Sequence, residues 1–321
     1  MLNVIRSIWR DETRRRMALF YGVAALWLST TAMHIPDGYL SPVTAIVMFI
    51  LVAPFWYLGL RSLQKRANAK SVPVIALMAV LKAGKAYLVL DPTHPTDRLA
   101  TRLGELQIRL LVTSAVYAAV AAQIAPASSG VLNLDTLAIT DETAQNLGIF
   151  PPADQAAGLF STSGSTGAPK TVARKHHTLL HRVWLETTEE QFSANDRFAL
   201  LYTCSYAASA NHLFCALLNG AQLCLYDIRA QGTAGLAAWL QQNRITCMQI
   251  AAPLFRQFLN TLQPTDVFTT MRQVIPSSQQ IYKSDVTRFW AHFPATCKLI
   301  SRFSASETAI VCRMVITPET E

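Results

Sequence analysis

An α/β architecture with largely parallel sheets is the fold that residues 71–321 predict, preceded by one or two hydrophobic membrane-type helices. Three observations lead there. Past residue 71, segments with helical apolar spacing alternate with short apolar runs of strand character, the pattern of strands joined by helices. A loop rich in glycine and hydroxyl residues, 160–170, breaks that alternation once. Ahead of it all stand two apolar runs of a different kind, within the first sixty residues. No internal repeat is apparent, and 321 residues suffice for one large or two ordinary domains.

In chain order, Arg14, Arg15 and Arg16 precede the first apolar run, Met17 to Leu28, which closes on Ser-Thr-Thr-Ala32. It is short for a bilayer span and reads as a signal-peptide core with a small-residue cleavage site after Ala32. The second run, Val43 to Leu60, is uncharged and about long enough to cross a bilayer. Arg61, Lys65 and Arg66 follow it. Basic residues at both outer ends place the N-terminus and residues 61–321 on the cytoplasmic side, with the membrane engaged through residues 17–60. Since Pro54 interrupts the second run, a buried soluble hairpin is the alternative, and residues 61–321 are then simply cytoplasmic.

The net charge of +8 points the same way. Residues 1–70 hold nine of the 28 Lys/Arg but three of the 20 Asp/Glu, so the basic excess is a membrane flank and no nucleic-acid partner is expected. All six cysteines lie beyond residue 200 without a C-x-x-C spacing, which reads as reduced core thiols.

Between the two runs, Met33-His-Ile-Pro-Asp-Gly-Tyr-Leu-Ser-Pro42 resembles the amino-terminal signature of the membrane subunit of cobalt and nickel uptake transporters. The resemblance covers about residues 33–66. It implies a metal site made by a freed terminal amine and His34, donors that suit Co²⁺ or Ni²⁺, provided that cleavage after Ala32 exposes the amine. The later histidine of that family has no counterpart here, and otherwise His34 is a loop histidine.

Lys65-Arg-Ala-Asn-Ala-Lys70 is polar and reads as the junction between residues 1–66 and 71–321. Helices are expected over 74–82, 98–106, 115–123, 178–190 and 212–218, the last stopped by Asn219-Gly220. Strands are expected over 86–90, 108–113, 198–203 and 222–226. Residues 125–155, rich in Pro, Ser and Asp, read as loop. The alternation continues through 236–242, 245–250, 253–262, 272–275, 284–292 and 298–300.

The loop itself, Phe160-Ser-Thr-Ser-Gly-Ser-Thr-Gly-Ala-Pro-Lys170, carries the chemistry. Gly164 and Gly167 leave backbone N–H groups unobstructed, Thr162, Ser163, Ser165 and Thr166 add hydroxyls, and Lys170 adds a point charge. Together they suit phosphate oxygens. The spacing from Gly164 to Lys170 does not fit the Walker pattern, and a flexible Ser/Gly linker is the competing reading. A basic segment that reads as helix follows, bearing Arg174, Lys175, His176, His177 and His181. His177 and His181 are spaced like a metal pair but have no third ligand, so a solvated helix face is the simpler reading. Cys204 reads as a packed thiol rather than a nucleophile.

Ser161 to Lys170 resembles the phosphate-loop motif Y-T-S-G-[ST]-T-G-x-P-K-G of the adenylate-forming (AMP-binding) enzymes: acyl-CoA synthetases, luciferases and the adenylation domains of nonribosomal peptide synthetases. Ser161 stands for the Tyr and Thr171 for the last Gly. Upstream, Leu81-Lys-Ala-Gly-Lys-Ala-Tyr to Asp91-Pro-Thr-His-Pro-Thr-Asp-Arg-Leu99 is similar to that family's L-K-A-G-x-A-Y-x-P-x-D-P-x-x-P-x-x-R-L. Downstream, Ser205 to Phe214 with Leu217-Leu-Asn-Gly-Ala221 resembles F-D-x-S-V-x-x-x-F…L-L-x-G-A, and Ser301-Arg-Phe-Ser-Ala-Ser-Glu-Thr308 resembles N-x-Y-G-x-T-E-[ST].

The resemblance implies an ATP-dependent ligase module that activates a carboxylic acid as an acyl-adenylate, with a carrier-protein or coenzyme A thiol as acceptor. Lys170 and Glu307 are the catalytic candidates. Thr162 to Gly167 with Lys170 hold the β- and γ-phosphates, and Glu307 is the Mg²⁺-linked carboxylate. The position that holds the α-ammonium of amino-acid substrates is Ala207, so a non-amino acid is the better expectation. Ile275-Pro-Ser-Ser-Gln279 occupies the place of the adenine-contacting G-G-E loop, where Pro276 looks unfavourable. Motifs for a ribose aspartate, a hinge and a C-terminal lysine do not occur before Glu321, so an incomplete, weakly active or inactive module is expected. A membrane component for cobalt or nickel uptake and a non-catalytic chimera are the competing readings.

Overall fold

The computed structural model describes residues 72–136, 147–162, 170–305 and 309–320. Their strands form three sheets. The largest has six strands: β6 (Arg197–Leu200), β7 (Gln222–Leu225), β8 (Cys247–Ala251), β9 (Gln273–Ser277), β10 (Lys298–Ala305) and β11 (Ala309–Ile316), in the order β11-β10-β9-β8-β6-β7. Every pair in it is parallel except β10–β11. A three-stranded sheet joins β1 (Tyr87–Leu88), β4 (Ala156–Thr162) and β5 (Lys170–Lys175), with β1 parallel and β5 antiparallel to β4. A parallel pair, β2 (Leu110–Thr113) and β3 (Gly130–Asn133), completes the set.

The helices are α1 (Val72–Lys82), α2 (Thr96–Glu105), α3 (Ala118–Ile124), α4 (His176–Glu190), α5 (Ala207–Leu218), α6 (Ile228–Gln231), α7 (Leu236–Gln242), α8 (Ala252–Thr261) and α9 (Lys283–Trp290). They cover both faces of the large sheet, and the period-2 alternation of its strands shows how. In β6, Phe198 and Leu200 enter a core with residues of α1, β1, β4, α4 and α5, whereas Ala199 and Leu201 enter a second core with residues of α7, α8 and α9. Helix α5 lies inside the first core and is buried from Ser209 to Ala216. A small third core, Leu99, Leu103 and Ile124, holds α2 and α3 on the β2–β3 pair.

Two glycines are dictated by close approach. Gly84 follows α1 with φ 65°, and a Cβ there lies 2.6 Å from Ile149. A Cβ at Gly158 lies 2.7 Å from the ring of Tyr87, the residue that packs β1 on β4.

Several expectations need correction. Arg174 and Lys175 do not sit on a helix: they end strand β5, and the helix begins at His176. Pairing with β4 accounts for this, because residues 170–175 complete a hairpin that a linear reading does not see. The expected loop over 125–155 contains β3, whose Gly130-Val-Leu-Asn133 pairs in register with β2. Strand β11 was not expected at all. Among the described residues no helix is long and apolar enough to cross a membrane, and the apolar runs 17–28 and 43–60, with His34, lie outside the described residues.

Three helices end on a non-glycine residue in the left-handed region: Gln107 (φ 49°) after α2, Gln191 (φ 55°) after α4 and Arg244 (φ 48°) after α7. Glycine relieves the Cβ–carbonyl crowding of such ends. Gln191 is exposed, and the bonds it makes run through its backbone N–H and carbonyl. Gln191→Gly is therefore expected to raise the free energy of urea unfolding by about 1 kcal/mol. A lower midpoint contradicts this account of the α4 terminus.

Candidate functional site

Because β6, β8 and β9 run parallel, their C-terminal ends lie along one edge, with Ala251 paired to Ser277 at the last β8–β9 position. Strand β10 pairs with β9 only at Lys298–Gln273 and Leu299–Val274, and no β9–β10 pair follows. A cleft of about 1600 Å³ lies here, lined by residues of the β6–α5 loop, the β9 end, β10, β5 and β1. Crevices outside the carboxyl ends of parallel strands are the usual ligand sites of such sheets.

Pro276 sits within β9, not in the turn, and beyond the last β9–β10 pair. It pairs with Ile250 of β8 and has no partner on the β10 side, where a strand tolerates a residue without an N–H. The turn falls at Ser278, whose φ is 73°. The backbone thus adopts a glycine-like conformation with a serine in place. Beside it, the Tyr202 hydroxyl lies 2.5 Å from Ser277 Oγ, tying the β6 end to the β9 end. Burial pushes the Tyr202 phenol up to about 12, with Ser277 opposing, so it stays neutral.

In sequence, the two motifs with phosphate and metal character connect paired strands, β4 to β5 and β10 to β11. Thr162 and Lys170 face each other at the end of β4–β5, and residues 163–169 between them lie outside the described residues. Lys170 is exposed, with no ion pair among the described residues. Ala305 and Ala309 close β10–β11 in the same way, and Glu307 between them is likewise outside the description.

Helix α4 holds both hairpins. It continues directly from β5, and its buried face carries carboxylates that receive the β10–β11 arginines. Arg302, with a side chain 4% exposed, donates to Glu186 Oε2 at 2.9 Å and to Glu190 Oε1 at 3.0 Å. Arg182 donates to Glu186 Oε1 at 2.6 Å. Arg313 approaches Glu190 at 3.4 Å and pairs with Glu189. Burial alone would raise the Glu186 carboxyl, but Arg302 and Arg182 outweigh it and hold the group below the ordinary carboxylate value.

Ala207 opens α5 and lines the cleft, so no carboxylate stands at that position. Asn211, one turn further, accepts a 2.7 Å bond from Arg174 Nη1, and the Arg174 guanidinium lies over the Phe160 ring at 4.8 Å. His212 is buried against Phe198, and burial lowers it to about 4, so it is neutral. His177 and His181 are exposed, His177 beside Asp154 and His181 stacked on Trp184. Among the described residues no cluster of metal-ligating side chains occurs. Burial pushes the Cys204 thiol up to about 11, away from nucleophilic use, and all six cysteines are free.

The upstream motif acts as a joint. Asp91 accepts bonds from the Thr93 N–H and hydroxyl and from Arg229 Nη1 at 2.7 Å, linking the segment after β1 to α6. Sequence reasoning counted Arg174 only as part of the basic segment after the loop, and missed Asn211 and the Glu186–Arg302 group. Only the Arg182–Glu186 pair, four apart on one helix, left a legible signal.

A family model described as AMP-binding enzyme matches residues 73–321, and one described as cobalt uptake substrate-specific transmembrane region matches residues 34–84. Surfactin synthase subunit 2 of Bacillus subtilis is 35% identical over 216 residues, 65% of this chain and 6% of that protein. Nonribosomal peptide synthetase otaB of Aspergillus carbonarius is 30% identical over 239 residues, 74% of this chain and 12% of that protein. The chain thus spans a small part of these relatives. Among solved structures, the N-terminal subdomain of Klebsiella oxytoca NpsA superposes with TM-score 0.63 at 22% identity, covering 84% of this chain and 69% of that one. The nonribosomal peptide synthetase FmoA3 superposes with TM-score 0.69 at 21% identity, covering 85% and 30%.

Removing the Glu186 charge leaves Arg302 and Arg182 buried with too little compensation. Glu186→Gln is expected to cost about 3–5 kcal/mol of unfolding free energy at neutral pH. A carboxyl held low contributes stability above its unfolded pKa that is lost as pH falls through its folded one, so the parent-to-variant gap closes on acidification. Urea unfolding at a series of pH values measures both, and a gap under about 1 kcal/mol at neutral pH contradicts the role given to this group.

Proposed function

Because the chain belongs to the AMP-binding enzyme family, we propose that its cleft binds ATP and a carboxylic acid and joins them as an acyl-adenylate. One observation carries this reading: a single cleft is lined from the region of every family-like motif. It takes Asp91 from the first, Arg174 from the strand after the phosphate loop, Ala207 from the third, Ser278 from the adenine-side turn and Ser304 from the last.

In this reading Lys170 and residues 162–167 hold the β- and γ-phosphates from the β4–β5 tip, and the Ser277–Ser278 turn borders the base. Glu307, which connects β10 to β11 in sequence, would hold Mg²⁺, a hard cation suited to a carboxylate. The substrate carboxylate oxygen attacks the α-phosphorus, forming the acyl–phosphate bond as pyrophosphate leaves, and a carrier-protein or coenzyme A thiol is the later acceptor. What the chain itself supplies is position and charge: Lys170 opposes negative charge at the phosphates, and the parallel strand ends fix the two reactants. Ala207 offers no partner for an α-ammonium, which favours a non-amino carboxylic acid.

For residues 1–70, a membrane-inserted segment with residues 61–321 cytoplasmic is the companion proposal, supported by the transmembrane-region match to 34–84 and the basic flank at Arg61, Lys65 and Arg66. A His34 metal site belongs to that proposal. Reporter fusions at residue 70 are expected to score cytoplasmic, and an external signal overturns the topology.

Lys170→Ala is expected to weaken ATP binding by roughly 1.5–3 kcal/mol, one charge-assisted phosphate contact, whereas His181→Ala leaves it unchanged. Calorimetric titration of the full chain reads both. Equal affinities for parent and Lys170→Ala remove the phosphate-loop assignment.

A further inference from the structure

The arginines of the cleft are not equally compensated. Of those that line it, Arg302 is paired with Glu186 and Glu190, Arg182 with Glu186 and Arg229 with Asp91, while Arg109 is exposed. Arg174 has no carboxylate partner among the described residues. Only 8% exposed, it gives one donor to Asn211 Oδ1 and rests on the Phe160 ring. A guanidinium carries five N–H donors in a fixed fork that fits a carboxylate, and a buried cation without a counter-ion is costly. Its neighbour Arg182, also 8% exposed and lining the cleft, leaves its Nη1 without a hydrogen-bond partner among the described residues. Burial lowers the Arg174 guanidinium from its ordinary value and Arg182 adds to this, while Tyr87 and the more distant Glu186 oppose it without a direct ion pair.

Arg174 lies four residues along β5 from Lys170, about 13 Å of extended strand away from the hairpin tip. It stands instead at the start of α5, where Asn211 and Ala207 line the same cleft. Asn211 spends its carbonyl oxygen on Arg174, so its amide N–H groups remain as donors. The cleft wall at the start of α5 therefore has no acid at Ala207 and holds a cation without a direct ion pair beside an amide donor.

Resting on the adenylation reading above, we infer that the acid taken by this cleft is a dicarboxylate, with Arg174 and Asn211 holding the carboxylate that is not activated. The preference for a second anionic group comes from this chain's own Arg174. It is independent of the phosphate loop, so the two assignments can fail separately.

The test titrates the full chain at pH 7.5 with succinate, glutarate and adipate, and with butyrate, valerate and hexanoate, each with and without a non-hydrolysable ATP analogue. In the parent, at least one dicarboxylate is expected to bind about ten-fold or more tighter than the monocarboxylate of equal length. Arg174→Met and Asn211→Leu are expected to shrink that ratio towards one without changing analogue affinity. Circular dichroism and the analogue titration report whether each variant is folded, and the parent comparison needs no variant. Analogue binding with no dicarboxylate preference in the parent, or a preference that persists in folded Arg174→Met, overturns the inference and leaves the nucleotide reading standing. A dicarboxylate preference without analogue binding supports the anion site and overturns the nucleotide reading.

Discussion

The buried pairing of Glu186 and Glu190 with Arg302 is the constraint on which the arrangement depends. Helix α4 begins where β5 ends, so its position sets the β4–β5 hairpin, and its buried carboxylates receive the arginine at the middle of β10. The two hairpin tips, one bearing Lys170 and the other Glu307 in sequence, are thereby referred to a single rigid element. Apolar packing at the same place would give comparable stability but a weaker geometric specification, since a fork-shaped guanidinium accepts few orientations of its carboxylates. Arg182 and Arg313 extend the group, so that every carboxylate in it touches at least one arginine.

Around that joint the large sheet supplies the cleft by simple topology. Parallel strands bring their C-terminal ends to one edge, and the parting of β10 from β9 after Leu299 leaves room there. Departures from family motifs become intelligible against this edge. Pro276 is a strand residue paired with β8 but not with β10, and Ser278 takes a backbone conformation that a glycine would take more easily. The change at Ala207 is of another sort, because it removes an acid from the cleft wall and leaves the start of α5 in place.

Much of the element order was legible in residues 71–321. Helices α4, α7 and α8 carry apolar spacing long enough to identify them, and β6, β7 and β8 are short apolar runs between turn signals. What failed has a common cause. The segment Lys170-Thr-Val-Ala-Arg-Lys175 has no strong periodicity and becomes a strand only because β4 offers it a ladder. Gly130-Val-Leu-Asn133 and Ala309 to Ile316 are likewise strands by virtue of their neighbours, β2 and β10.

By itself the sequence determined the chemistry of the loop at 160–170, the absence of an acid at Ala207 and the family of residues 73–321, since these depend on residue types at fixed spacings. Only the tertiary structure decided which charges meet. Arg174 and Asn211 are 37 residues apart, and Arg302 and Glu186 are 116 apart. Nothing in either local segment marks one arginine as neutralised and the other as not. That difference arises because α4 turns Glu186 and Glu190 towards β10, while β5 carries Arg174 towards α5, where the facing side chain is an amide. Long-range electrostatic partnership is a property of the packed elements, because neither local segment contains both members of a pair.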